Sequence, residues 1–392
     1  MNSARGRGIE AGFLVTGATG FLGSHLMAAL VRRGERVVAL GRCSQGNSLT
    51  ERVTRQLAWF GLADRADLVT ALEADLLKPQ LGLKPACYRA LCSQSPCIVH
   101  LASDTRFARN NRENSLATNV HSLEQMIEFA GAGRAPFFHY VSTAYVAQAG
   151  SQPCLEEPVR HACFANVYEE TKAQAESEVM RLCSSHGVPY TILRPSIVYG
   201  DAATGRSNSF TALYHHVKAL QLIKGIYLAD IENQGGAKAR ASGIRLGADG
   251  ILELPIRIYL AHQGFVNLIP IDYFVAAALA VIERPRSGGV YHLTSGTPST
   301  MKELAEYCER FLKVRGIEIC YGEPPAGYRP NPAESLFNKM IEPYRPYLCD
   351  IRVFDRSNLD AAAPGHHPPR LSYPIFERCM QYAVSVDWGN SR

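Results

Sequence analysis

Long apolar runs are what this 392-residue chain lacks first. The longest, residues 274–282, is far short of the roughly 20 residues a helix needs to span a bilayer. The start, residues 1–12, is polar and has no apolar signal-peptide core. Charge is modest: 20% of residues are charged and the formal balance is +5. That is too little to argue for a nucleic-acid partner, and no aromatic-and-basic cluster offers a platform for one. Eleven cysteines are present, an odd number, but no Cys-x-x-Cys pair. Cys87, Cys92 and Cys97 are spaced by fives, which is no zinc pattern. They read as reduced, buried thiols of a cytoplasmic protein, with no metal site. There is no internal repeat. With 46% hydrophobic residues, the chain is globular and long enough for one large domain or two interleaved ones.

The informative stretch is Thr16-Gly17-Ala18-Thr19-Gly20-Phe21-Leu22-Gly23. It follows Phe13-Leu14-Val15, a short buried strand by its composition, and precedes residues 24–31, which have helical apolar spacing. Glycines between a strand and a helix are the context of a dinucleotide site. Gly17 allows the tight turn, Gly20 lets backbone approach a pyrophosphate, and Gly23 lets the helix pack closely. The helix amides and the positive end of its dipole then face the phosphates. Gly17, Thr19, Gly20, Phe21, Leu22 and Gly23 are therefore candidate cofactor residues. A purely structural turn is the alternative.

Strands and helices alternate from here. Residues 36–40 form a second strand ending at Gly41-Arg42. An acid at this point would accept ribose hydroxyls, whereas Arg42 pairs with a 2′-phosphate, which favours NADPH. Residues 48–60 read as an amphipathic helix and 68–73 as a third strand. Asp75 can accept from an adenine amino group while Leu76 covers the ring; the alternative is that Asp75 caps its own loop. Residues 97–101 are apolar throughout, as a doubly covered parallel strand should be. Leu101, Ala102 and Ser103 lie at its carboxyl end, where ligands bind in such sheets. Residues 114–130 are helical and carry Asn119. Residues 137–141 end in Ser142-Thr143, and the long helix 166–185 carries Tyr168 and Lys172. A sixth strand, 190–193, runs into Arg194-Pro195-Ser196-Ile197. This alternation predicts an α/β fold, a doubly wound parallel (Rossmann) sheet.

After Gly200 the pattern changes. Residues 209–225 read as a helix. Residues 230–250 read as a mobile loop rich in Gly and Ala, whose Lys238, Arg240 and Arg245 could meet phosphate groups or an acidic carrier domain; the alternative is a solvated insertion with no partner. A helix over 273–283, a strand over 289–293 returning to the sheet, and a helix over 301–314 follow. The tail from Gly322 is Pro-rich and shows no clear elements. The expected division is a nucleotide-binding domain, 1–200 with 266–296 returning to it, and a smaller discontinuous substrate region, 201–265 and 297–392.

Tyr168 and Lys172 are four apart on one helix and share a face. A lysine ammonium beside a phenol lowers its pKa and makes it a usable acid or base. The Thr143 hydroxyl can hydrogen-bond an oxygen that gains charge when hydride arrives. The glycine motif, His100-Leu101-Ala102, Asn119, Thr143, Tyr168-x-x-x-Lys172 and Arg194-Pro195 together resemble the extended short-chain dehydrogenase/reductases. Within them, several stretches resemble the fatty acyl-CoA reductases and thioester reductase domains, the male-sterility type. These are residues 74–83, Val141-Ser142-Thr143-Ala144-Tyr145-Val146, residues 166–172, Arg194-Pro195-Ser196-Ile197-Val198 and Ile269-Pro270-Ile271-Asp272-Tyr273. Phe354-Asp355-Arg356-Ser357-Asn358-Leu359 is a weaker echo of their C-terminal region.

The resemblance implies hydride transfer from NADPH to an acyl thioester, carried on coenzyme A or on an acyl carrier protein. The product is an aldehyde, which a second hydride could take on to an alcohol. Thr143 and Tyr168 would hold the developing oxyanion, with Tyr168 as proton donor. Lys172 would hold the nicotinamide ribose, Asn119 would support a relay water, and Pro195 and Ile197 would border the nicotinamide. The alternative is an extended epimerase or dehydrogenase acting on a nucleotide sugar or a sterol-like ketone or alcohol; Arg42 speaks against the NAD-retaining epimerases. A non-catalytic nucleotide sensor is a third class, and the intact Thr143, Tyr168 and Lys172 speak against it.

Overall fold

Short apolar segments flanked by polar turns pair in parallel to make one seven-stranded sheet. A computed structural model describes residues 11–44, 46–107, 109–147, 153–159 and 163–390; most of the polar start, residues 1–10, lies outside them. The strands are β1 (Phe13–Thr16), β2 (Val37–Gly41), β3 (Val69–Glu73), β4 (Cys97–His100), β5 (Phe138–Val141) and β6 (Tyr190–Pro195), with Gly289–Leu293 at one edge. From that edge the order is Gly289–Leu293, β6, β5, β4, β1, β2, β3, all parallel. The order reverses between β1 and β4, the switch point at which open α/β sheets bind ligands. The helices of this part are α1 (Phe21–Arg32), α2 (Leu49–Trp59), α3 (Pro85–Cys92), α4 (Arg112–Leu116), α5 (Ser122–Ala132) and α6 (Val167–His186). Ser48 accepts from the Glu51 amide at 3.2 Å and Glu51 returns to the Ser48 amide at 2.8 Å, a capping box that fixes the start of α2. The single helix expected over 114–130 is broken by a π turn, Ala117–His121, which carries Asn119.

The chain divides into two units. The first comprises Met1–Ser196, Tyr273–Thr294 and Val353–His366. Placing 353–366 here corrects the expectation that all of 297–392 belongs to the substrate region. The cause is a buried carboxylate: Glu156 accepts from the amides of His292 (2.6 Å), Asn358 and Leu359 (3.3 Å). Cys154 and Phe354 form a bridge beside it, with the Cys154 amide donating to Val353 O at 2.7 Å. Burial pushes the Glu156 carboxyl up to about 7 against the pull of those three amides.

The second unit comprises Ile197–Asp272, Ser295–Arg352 and His367–Arg392, so 197–200 and 266–272 belong here and not to the sheet domain. Ile197–Tyr199 pairs in parallel with Leu268–Pro270. The helix expected over 209–225 is α7, Leu213–Asn233, which starts later and runs two turns further. The mobile loop expected over 230–250 is ordered. It is the end of α7, a short helix Ala237–Ala241, and Arg245–Leu246 paired antiparallel with Leu252–Leu260. Gly235 and Gly236 take φ of +70°, the left-handed conformation glycine adopts without steric cost, and turn the chain back. The buried Asp230 carboxylate then accepts from the Ala239 amide at 2.9 Å. Arg240 is bonded to Gly235 O, and Arg245 forms an ion pair with Glu253. The strand Leu252–Leu260, unforeseen above, buries alternate residues: Leu252, Leu254, Ile256, Ile258 and Leu260. The tail holds helices Pro332–Ile341, Ser357–Ala362 and Tyr373–Ser385. All eleven cysteines are free thiols, and among the described residues no helix is long and apolar enough to cross a membrane.

The first unit is tied by one buried ion pair. Arg194, at the end of β6, makes a bidentate pair with Glu176 of α6 (Nε–Oε1 2.9 Å, Nη2–Oε2 2.6 Å), and both side chains are 1% exposed. Arg194 also donates to His292 Nε2 at 3.2 Å and to Glu157 O at 3.0 Å. Removing one partner strands a charge in the interior. Glu176→Gln is therefore expected to cost about 3–5 kcal/mol in a urea unfolding titration; a loss under about 1 kcal/mol would show the pair to be dispensable.

Candidate functional site

The turn after β1 has the geometry its glycines require. Gly17 has φ +69°, and a Cβ there would lie 2.7 Å from the Leu101 carbonyl carbon. A Cβ on Gly23 would collide with Gly17 O, so this glycine lets α1 close onto the turn itself. The next constraint comes from Thr16. Its Oγ1 accepts from the amides of Leu101 (3.2 Å) and Ala102 (3.1 Å), which leaves its proton for His100 Nδ1 (3.0 Å). One hydroxyl thus fixes the ends of β1 and β4 at the switch point. Burial drives the His100 imidazole down to about 3, so it stays neutral and can accept that bond.

A cleft of about 470 Å³ opens there. It brings together Gly17, Thr19, Gly20, Arg42, Asp75, Leu76, Leu101, Ala102 and Ser103. Phe21, Leu22 and Gly23 do not line it: they lie in α1, with the Phe21 ring packed edge-on against His25. Asp75 Oδ1 accepts from the Leu77 amide at 3.2 Å, so it caps its own loop while facing the cleft. Arg52 is a wall residue not anticipated above. It donates to Arg42 O at 3.0 Å and to Thr19 Oγ1. The signal was legible: Arg52 stands one helical turn after the cap Ser48, on the helix that follows β2. Two arginines therefore flank the edge of the cleft beyond β2.

Thr143 lies two residues beyond β5, its hydroxyl accepting from the Tyr145 amide at 3.3 Å and close enough to the Tyr168 phenol of α6 to pull its pKa down. Lys172 lies one turn further on, 2% exposed. Its Nζ donates to Val141 O at 2.7 Å and Tyr140 OH at 3.2 Å, and sits 4.7 Å over the Tyr140 ring. This corrects the expectation that Lys172 lowers the Tyr168 pKa. Desolvation instead pushes the phenol up to about 12, against the pull of Thr143. Desolvation likewise pulls the Lys172 amine down to about 7, against the attraction of Glu176. Asn119 is fully engaged. Its Oδ1 accepts from Ser103 Oγ (3.0 Å) and the Asp104 amide (2.7 Å), and its Nδ2 donates to Thr171 Oγ1 (3.0 Å) and Asp104 O (3.0 Å). The relay water expected on Asn119 finds no free valence; the residue ties the segment after β4 to α6. Pro195 ends β6, buried. Ile197 belongs to the second unit and pairs with Leu268.

The family model described as "Male sterility protein" matches residues 15–278. The chain belongs to the male sterility protein family. It has the fold of the extended short-chain dehydrogenase/reductases. Among curated relatives, the nonribosomal peptide synthetase asaC of Aspergillus flavus is 26% identical over 325 residues, which is 79% of this chain and 28% of that protein. The isonitrile lipopeptide synthase of Streptomyces coeruleorubidus is 30% identical over 53% of this chain and 14% of its own length. This chain thus spans under a third of each. Among solved structures, the terminal R domain of the myxalamid PKS-NRPS pathway has a TM-score of 0.74 at 22% identity, covering 98% of this chain and 92% of that one. A thiolation-reductase di-domain of an archaeal nonribosomal peptide synthetase gives 0.70 at 16%, covering 98% and 77%. UDP-glucuronic acid 4-epimerase of Bacillus cereus with NAD gives 0.62 at 17%, covering 95% and 99%. These structural likenesses describe the fold.

For this male sterility family member, the Lys172 amine yields a pH signature. Its folded value of about 7 lies below the ordinary 10.5, so between them the unfolded chain holds a proton that the folded chain does not. The stability contributed by Lys172 therefore rises with pH across that window. The stability of Lys172→Met relative to wild type should fall as pH goes from about 7 to about 10 in paired thermal melts. A difference that stays constant would mean Lys172 keeps its charge when buried.

Proposed function

We propose that the chain is an NADPH-dependent thioester reductase that releases an acyl group from a carrier-bound phosphopantetheine thiol as an aldehyde. The observation that carries this reading is the Thr143 hydroxyl set against the Tyr168 phenol just beyond the carboxyl end of β5, with Lys172 buried one turn away. The cleft at the switch point fits a dinucleotide: Gly17 lets the turn pack directly on the Leu101–Ala102 backbone, and the turn leads into the N-terminus of α1 along the cleft wall. In this reading Gly17, Thr19 and Gly20 face the pyrophosphate, Leu76 covers the adenine, Arg42 and Arg52 pair with the 2′-phosphate, and Pro195 borders the nicotinamide. The bound cofactor supplies a hydride to the thioester carbonyl carbon.

The chain's own groups handle the oxygen. A phenol pushed up to about 12 is protonated at neutral pH, so Tyr168 is ready to donate rather than to accept. In this reading the Thr143 hydroxyl, beside the phenol, holds the same oxygen as its charge grows. Proton transfer from Tyr168 gives the hemithioacetal. Breaking its C–S bond, with the hydroxyl proton passing to the thiolate, yields aldehyde and free thiol. Lys172 holds the end of β5 through Val141 O and is the nearest buried amine to recharge Tyr168. Asn119 positions Ser103 and α6 and takes no proton. A carrier-held thioester is preferred over coenzyme A because relatives across most of this chain are peptide synthetases, and a thiolation-reductase di-domain shares its fold.

The test is to incubate the protein with NADPH and a panel of carrier-bound thioesters, acyl-CoAs, sugar nucleotides and ketones while following nicotinamide absorbance and aldehyde. Turnover of thioesters is expected, and turnover confined to sugar nucleotides or ketones would overturn the reading. Tyr168→Phe should lower turnover by roughly 100-fold with cofactor affinity little changed. Arg42→Ala and Arg52→Ala should each weaken NADPH by roughly 10-fold or more and leave NADH nearly unaffected, since a charge-assisted bond contributes about 1.5–3 kcal/mol. Equal losses for both cofactors would remove the arginines from 2′-phosphate recognition.

A further inference from the structure

The buried Lys172 amine has two hydrogen-bond partners of different kinds. Val141 O, 2.7 Å from Nζ, is a carbonyl and only accepts. Tyr140 OH, 3.2 Å from Nζ, is a hydroxyl and can accept or donate. Lys172 and Tyr140 are closed off from water together, 2% and 1% exposed. Nζ also lies 4.7 Å from the centre of the Tyr140 ring, whose face attracts a cation. That ring is held in turn by His100 of β4, stacked on it at 6.0 Å with 22° between the planes. Tyr140 thus meets the amine with both its hydroxyl and its ring, on a strand of the sheet.

A buried amine that changes charge changes what it needs from its neighbours. As an ammonium it has three donors and no lone pair; as a neutral amine it gains an acceptor. Val141 O can meet only a donor. The Tyr140 hydroxyl can accept from the ammonium and, by turning its proton, donate to the amine. We propose that Tyr140 is a positioning residue for Lys172, its hydroxyl pairing with Nζ in both charge states and favouring the charged one. The preference follows because a hydrogen bond to an ion is roughly twice as strong as one between neutral groups. The other charged and titratable groups around the amine come from three elements. Glu176, on α6, attracts the ammonium and is itself paired with Arg194 of β6. Tyr168, also on α6, is a phenol pushed up to about 12, and His100 of β4 is an imidazole held down to about 3. Burial raises the Tyr140 phenol well above its ordinary value too. Near neutral pH the two phenols and the imidazole therefore keep their protonation while Lys172 changes charge. The catalytic meaning of the pairing rests on the thioester-reductase reading, in which Lys172 recharges Tyr168; the pairing itself does not.

The test follows the amine directly. The whole chain is labelled with ¹³C at lysine Cε, and the Lys172 signal is the one missing from Lys172→Met. In an NMR pH titration, the Lys172 midpoint in Tyr140→Phe, which keeps the ring and removes the hydroxyl, should lie roughly one pH unit below wild type. Tyr140→Leu removes the ring as well and should lower it further. A midpoint that is unchanged or raised in Tyr140→Phe would overturn the assignment, since a merely structural tyrosine affects melting and not the titration of Lys172. A second measurement leaves Tyr140 in place. With ¹³C at tyrosine Cζ in Tyr168→Phe, one remaining signal should move with the Lys172 midpoint as the hydroxyl exchanges accepting for donating; none moving there would also overturn it. Thioester turnover is followed against pH separately. If Lys172 recharges Tyr168, turnover needs the ammonium and falls as pH rises through its midpoint. In Tyr140→Phe that fall should come about one pH unit lower, in kcat with KM little changed. A fall that stays in place while the NMR midpoint moves removes Tyr140 from the reaction. A moved midpoint with no turnover of any thioester overturns the reductase reading and leaves the pairing standing.

Discussion

The bidentate contact between Arg194 and Glu176 holds the first unit in register. Glu176 sits one turn beyond Lys172 and two turns beyond Tyr168 on α6, and Arg194 sits one residue before Pro195 at the end of β6. The pair therefore sets how far the helix that carries the phenol and the amine slides along the sheet edge. Two charges taken fully out of water are stabilised only when their remaining hydrogen-bonding valences are met. Here they are: Arg194 reaches His292 on the neighbouring strand and the Glu157 carbonyl as well as the carboxylate. The same carboxylate raises the Lys172 pKa against desolvation, so the ion pair sets charge as well as position.

A second constraint acts at the switch point. The Thr16 hydroxyl has three valences, spent on the last residue of β4, His100, and on the two residues after it. Asn119 then fixes the next two residues, Ser103 and Asp104, with three of its four bonds and reaches Thr171 of α6 with the fourth. A π turn carries Asn119, and such turns often mark functional positions in helices. Saturated polar side chains thus hold the floor of the cleft, while the side chains assigned to chemistry, Thr143 and Tyr168, face each other.

The sheet half was legible because its physics is local. Parallel strands covered on both faces read as continuous apolar runs, and the turn between β1 and α1 admits only glycine at Gly17 and Gly23. Helical spacing placed Tyr168 and Lys172 on one face, but it could not say that Val141 O would draw the Lys172 ammonium to β5. That is a long-range contact, and so is the burial of the phenol itself, which raises its pKa where a lowering was expected. The 230–250 segment shows the limit differently. Gly235 and Gly236 are compositionally the same whether they loosen a loop or turn a chain, and the burial of Asp230 that decides between them is tertiary. Other signals were present and unused. The period-2 pattern of Leu252–Leu260 was interrupted to the eye by Pro255. Asn331, Pro332 and Glu334 form a helix start with a capping box inside a stretch read only as Pro-rich.

Four histidines show why a shifted pKa alone does not define a site. His100, His139, His216 and His292 are all pulled below the ordinary imidazole value by burial, so all are neutral. What separates them is the surroundings of each ring. His292 Nδ1 donates to Asp355 O at 2.8 Å while its Nε2 accepts from Arg194, so it is a saturated link. His100 accepts at Nδ1 from Thr16 and is stacked 6.0 Å from the Tyr140 ring and 5.8 Å from Phe138, within the sheet core. His139 meets Thr191 at 2.7 Å and stacks on Phe137. His216 takes its tautomer from its own helix, Nδ1 donating to Ala212 O at 2.8 Å. A neutral imidazole in a packed core organises the protein around it.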